Sequence, residues 1–111
     1  MATNPPSSTP SIADALNRLW IRFLPEIEDR IAIIDTAAKA LANGVLTNEE
    51  REAAHSAAHK LSGTLGTFGL NHGTELARKA ELEFEKQSPS VAPAKLTTWI
   101  SELSLLVRNR Q

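Results

Sequence analysis

Apolar residues recur along most of the chain at intervals of three and four, the spacing of a helix face, and no segment shows the alternation of a half-buried strand. From Ser11 onward Ile12, Leu16, Leu19, Trp20 and Phe23 form a first amphipathic helix, with Ser11 as N-cap and Asp14 in its first turn. Pro25 interrupts this helix or begins the next, in which Ile27, Ile31, Ile34, Ala38 and Leu41 make one stripe until Asn43-Gly44 supplies a left-handed stop. Thr47 and Glu50 are spaced as a capping box for a third helix, along which Ala54, Ala57, Ala58, Leu61, Leu65 and Phe68 keep helical spacing. A break near Leu70-Asn71 precedes Leu76, Ala77, Ala80 and Phe84. After a loop at Ser88-Pro89-Ser90, a last helix places Leu96, Trp99, Ile100, Leu103 and Val107 on one side. Short connections between amphipathic helices predict an all-α fold, an antiparallel four-helix bundle with an additional N-terminal helix, over residues 11–111. Trp20, Phe23, Phe68, Phe84 and Trp99 each fall on an apolar stripe and are expected in the core.

Composition narrows the functional classes. The 111 residues, 41% of them hydrophobic, suit one domain. With 12 basic and 13 acidic residues spread along the chain, there is no electrostatic footprint of a nucleic-acid binder. The lack of cysteine removes disulfides, thiol nucleophiles and thiolate metal sites from consideration, and it fits the cytoplasm. Residues 1–10, MATNPPSSTP, have neither a basic start nor an apolar run and are expected to form a disordered tail. No segment is apolar enough to span a bilayer, so the expectation is a soluble, unanchored monomer with no nucleic-acid or membrane partner.

The third helix holds the candidate chemistry. At 100° per residue His59 lies roughly opposite Leu61 and Phe68, and so faces water together with Glu52, His55, Ser56, Ser62, Gly63 and Gly66. Four of the five glycines, Gly63, Gly66, Gly69 and Gly73, crowd into this region. Three interior glycines would cost a helix roughly 2–3 kcal/mol relative to alanine. A loss of that size implies that a missing side chain is useful there, for close approach by another molecule. Helix packing is the competing explanation for Gly69 and Gly73. Because a free imidazole is substantially neutral near pH 7, an exposed ring nitrogen can attack phosphorus without a partner base. Phosphoryl transfer otherwise depends on in-line positioning and charge stabilisation, which a partner can bring. Lys60, Ser62 and Thr64 are candidates to hold phosphate oxygens, although Lys60 is rotated about 100° from His59.

Other features have plainer readings. His55 and His59 share the i, i+4 spacing of some zinc sites, but no glutamate follows His55 and His72 is the only other imidazole, so no metal site is expected. His55 is expected to be a solvated neighbour of His59 and, with Lys60, Ser62, Gly63, Thr64 and Gly66, part of the phosphate- and partner-binding surface. Glu81, Glu83, Glu85 and Lys86 read as a solvated helix face.

The segment Ala58-His59-Lys60-Leu61-Ser62-Gly63-Thr64-Leu65-Gly66-Thr67-Phe68-Gly69 resembles the histidine-containing phosphotransfer (HPt) family in its His-x-Leu-x-Gly-small pattern. The likeness extends loosely over residues 11–110, through helix order and the later Leu76-Ala77-x-x-Ala80-Glu81 stretch. It implies a four-helix bundle, a phosphohistidine at His59, Gly63 as the small residue beside it, and exchange with the aspartate of response-regulator receiver domains. Hybrid histidine kinases are the other implied partners. No cofactor is implied on this chain, with Mg²⁺ expected on the receiver, and no ATP-dependent kinase activity is expected because there is no glycine-rich ATP-binding element. The chain departs from many family members in having Ser62, not lysine, three residues after the histidine. A helical interaction module that binds a receiver through the same face, without the chemistry, is the alternative.

Overall fold

The computed structural model describes residues 11–87, 89 and 91–110, which form four helices and, among these residues, no strand. The tail expected at residues 1–10 and the serines of the Ser88-Pro89-Ser90 loop lie outside the described residues. Helix α1 runs over Ile12–Ala42, α2 over Asn48–Thr67, α3 over Asn71–Glu85 and α4 over Pro93–Asn109.

The separate N-terminal helix of the sequence reading is instead the first half of α1, because Pro25 sits inside one continuous 31-residue helix. Proline removes one N–H and leaves the carbonyl of Ile21 without its usual donor. Pro25 and Ile21 both lie on the exposed side, where water can take that bond, while the buried Trp20 and Ile27 on either side continue a single core stripe. Packing of that stripe holds the two halves in line.

The caps follow the sequence closely. The Ser11 hydroxyl accepts from the Asp14 N–H at 3.1 Å, and Thr47 and Glu50 form a reciprocal capping box. Gly44, with φ of 71°, ends α1 in the left-handed region as expected of the Asn43-Gly44 pair. Gly69, with φ of 75°, turns the chain between α2 and α3 and so is not a helix-interior residue. Gly73 lies in α3 against the core, where an added Cβ would meet Leu65 Cδ1 at 3.1 Å and Leu103 Cδ1 at 3.6 Å. Close helix packing accounts for this glycine.

Helix α1 packs against α2 and α4, and α3 packs against the same two, giving a four-helix ring. Its directions are antiparallel: Arg51 at the start of α2 binds the end of α3, and Arg110 after α4 binds Asn17 near the start of α1. Phe84, Ile27, Ile34, Leu61, Leu65, Leu96 and Leu103 fill the centre. Of the five aromatic residues expected in the core, Trp20 and Phe84 are buried, and Phe68 and Trp99 are half-buried at its edge. Phe23 is 39% exposed and meets Phe68 edge-on, with ring centroids 6.4 Å apart. Among the described residues, no helix is long and apolar enough to cross a membrane.

The buried Arg51 had no signal in the apolar pattern. Its guanidinium donates to the carbonyl of Phe84 at 2.6 Å and to Asn48 Oδ1 at 2.8 Å. It thereby caps the C-terminus of α3, where carbonyls lack helical donors.

Candidate functional site

Helix α2 buries Ala54, Ala57, Ala58, Leu61 and Leu65, and this stripe fixes what faces outward. The His59 side chain is 71% exposed. Its Nδ1 lies 2.8 Å from Oε2 of Glu81, which α3 presents from across the groove. A carboxylate oxygen only accepts, so this bond places the ring proton on Nδ1 and leaves the Nε2 lone pair directed away from Glu81. The same carboxylate oxygen is 4.0 Å from Nε2 of the half-buried His55. His55 is thus a flanking member of the site rather than a freely solvated neighbour.

Glu81 is the candidate site residue that periodicity missed. It reads as part of a solvated acidic face, yet it is only 17% exposed and bound to His59. Glu83 departs from that reading too, accepting from the Val91 N–H and pairing with Lys86. The signal for Glu81 was in the helical register: Ala77, Ala80 and Phe84 are buried, which puts residue 81 on the border of the buried face.

The remaining site residues divide between two flanks. Toward α3, Ser62 is buried, not exposed as its position relative to His59 had suggested. Its hydroxyl donates to the His59 carbonyl at 2.9 Å and Thr74 donates to the Ser62 carbonyl at 3.3 Å. The close approach of α3 covers that edge of the helix and commits the hydroxyl to the backbone. Toward α1, the Thr64 hydroxyl donates to the Lys60 carbonyl at 3.0 Å and receives Arg30 at 3.4 Å. Lys60 is exposed on this flank. Between the flanks, an added Cβ at Gly63 would meet nothing within 4 Å, and one at Gly66 only Thr74 Oγ1 at 3.6 Å. Neither glycine is required by packing within the chain, so their bareness is a property of the outer surface. Among the described residues no group of three or more histidine, aspartate or glutamate side chains is gathered to hold a metal ion.

The bundle thus presents one oriented, exposed histidine beside a side-chain-free patch. The Hpt domain model matches residues 18–109, and the chain belongs to this family, whose general role is histidine phosphotransfer in phosphorelay signalling. It is also 36% identical over 81 residues to Protein RcaC of Microchaete diplosiphon, an alignment covering 70% of this chain and 12% of that much longer protein. No solved structure matches the chain significantly.

Proposed function

We propose that this chain accepts a phosphoryl group on Nε2 of His59 from the aspartate of a receiver domain and returns it to such an aspartate. The observation that carries the proposal is the 2.8 Å contact between His59 Nδ1 and Glu81, on a ring that otherwise stands in solvent. In the forward step the Nε2 lone pair forms the N–P bond as the bond from phosphorus to the aspartyl oxygen breaks, and the carboxylate leaves with the electron pair. The ring keeps its Nδ1 proton and becomes cationic, and the Glu81 carboxylate is placed to stabilise that charge. No proton has to leave, so the reverse step needs none to return. Mg²⁺ belongs on the receiver in this scheme, where it offsets phosphoryl charge, and this chain binds no cofactor of its own.

The docking face is the bare surface of Gly63 and Gly66 with Lys60 on one side and His55 on the other. A receiver that also covers the α1 side meets Phe23, exposed beside Phe68 where α1 meets the end of α2. Receivers of response regulators and of hybrid histidine kinases are the partners, and the chain acts as a cytoplasmic monomer without kinase activity of its own. The test is incubation of wild type and His59→Gln with a phosphorylated receiver and Mg²⁺. Acid-labile, base-stable phosphate is expected on the wild type alone. Equal labelling of both proteins, or binding of several phosphorylated receivers without transfer from any, would refute the proposal.

A further inference from the structure

A phosphoryl group on His59 adds about two negative charges to an exposed ring whose one bonded neighbour in the structure is a carboxylate. The position three residues further along α2 offers no counter-charge, because it is Ser62, buried and bonded to the His59 carbonyl. A cation must come from elsewhere on this chain or from the partner. Most of the nearby candidates are committed. Arg30 binds Thr64 and lies 3.9 Å from Glu26, Arg51 is buried at the end of α3, and Lys79 sits 5.6 Å above the Trp99 ring on the side toward α4. Lys60 is exposed but belongs to the α1 flank, about 100° around the helix from His59.

Arg78 differs from all of these. In α3 it stands four residues after Thr74, which bonds to Ser62, and three before Glu81, which bonds to His59, so it shares their side of the helix. Both bracketing residues touch α2, and Arg78 therefore projects beside the stretch of α2 that runs from His59 to Ser62. It is exposed and, among the described residues, makes no hydrogen bond, ion pair or ring contact. The space over α2 beside it is open, since among the described residues no side chain or neighbouring helix comes within 4 Å of a Cβ at Gly63. Two carboxylates, Glu81 on one side and the exposed Glu75 on the other, are its nearest acidic neighbours along α3, and neither pairs with it.

We infer that Arg78 is a phosphoryl-binding residue that reaches from α3 to hold two oxygens of the group on His59. This rests on His59 being the phosphoryl acceptor. A guanidinium presents parallel N–H donors that match two phosphoryl oxygens, so Arg78 serves in the transition state and in the phosphorylated protein alike. The open surface at Gly63 gives the side chain room to fold over and leaves the opposite approach to phosphorus free for the partner's aspartate.

A small donor isolates this role from docking. With phosphoramidate, Nε2 of His59 forms its bond to phosphorus as the P–N bond of the donor breaks and ammonia leaves, with no partner protein involved. The Arg78→Ala variant is expected to accept phosphate about five- to tenfold more slowly than wild type, the loss of one charge-assisted contact, and Arg78→Lys to recover part of the rate. In wild type, phosphorylation should shift the Arg78 Nε–H resonance downfield, a change that a merely structural residue would not show. A rate for Arg78→Ala within twofold of wild type, a larger loss from Lys60→Ala, or an unmoved Arg78 resonance would overturn the assignment. Failure of wild type to take phosphate on His59 would instead overturn the carrier reading on which it rests.

Discussion

Replacing Gly63 with alanine separates what the glycine does for folding from what it does for a partner. Glycine within a helix is less favourable than alanine by about 0.8–1.0 kcal/mol. Gly63 lies well inside α2, and the added Cβ would meet nothing within 4 Å, so no clash offsets that gain. Gly63→Ala should therefore be more stable by about 0.8–1.0 kcal/mol, a rise of about 4–8 °C in melting temperature for a chain of this size. The same methyl group stands on the surface that the receiver must approach. A displacement of about 1 Å can slow a positioned reaction as much as about 100-fold, so transfer from a phosphorylated receiver should fall by about ten- to 100-fold. Phosphoramidate needs no docking surface, so its reaction should slow far less than transfer from the receiver, the residual loss reflecting reduced room for Arg78. The assays are thermal unfolding and single-turnover phosphoryl transfer with both donors. A variant that gained stability and still exchanged with the receiver within twofold of wild type would refute the docking role of Gly63. Gly73→Ala is the internal control: its Cβ would press on the fully packed Leu65 at 3.1 Å, with Leu103 already in contact at 3.6 Å, and it should lose about 1 kcal/mol of stability.

Three further outcomes are expected. Glu81→Ala should keep the fold and reduce phosphate acceptance about five- to tenfold, the contribution of one charge-assisted bond at a partly exposed site, with ¹⁵N shifts of His59 showing loss of the Nδ1–H preference. Unchanged shifts and rate would remove Glu81 from the site. Arg51→Met should destabilise the bundle by about 2–3 kcal/mol in urea unfolding, because the Phe84 carbonyl loses its donor in a buried setting. A loss below about 0.5 kcal/mol would show that water replaces the cap. Phe23→Ala should cost less than about 1.5 kcal/mol of stability, given its exposure, and weaken receiver binding in titration calorimetry. A large stability loss with unchanged affinity would return Phe23 to a structural role.

What the sequence made legible was local. Ser11, the Thr47–Glu50 pair and Asn43-Gly44 act through bonds and backbone angles within a few residues of themselves, and each sits where its spacing placed it. The exposure of His59 follows from the stripe on its own helix. What escaped depends on neighbouring helices. Whether Pro25 breaks a helix is decided by the continuous packing of Trp20 and Ile27, not by proline alone. Phe23 shares the stripe of Trp20 but lies at the edge where α1 passes α2, so periodicity alone put it too deep. Ser62 and Glu81 face the groove between α2 and α3. Their exposure and bonds depend on the rotation of each helix about its axis, and a single-helix projection does not contain that quantity.

Where phosphate resides after exchange tests the carrier role of His59 most directly. Wild-type protein labelled by a phosphorylated receiver, digested under alkaline conditions and mapped by mass spectrometry, should carry its phosphate on His59. ³¹P and ¹⁵N NMR of the intact protein should place that phosphate on Nε2, with the proton retained on Nδ1. Phosphate on His55 or His72, or on Nδ1 of His59 with Glu81 displaced, would contradict it.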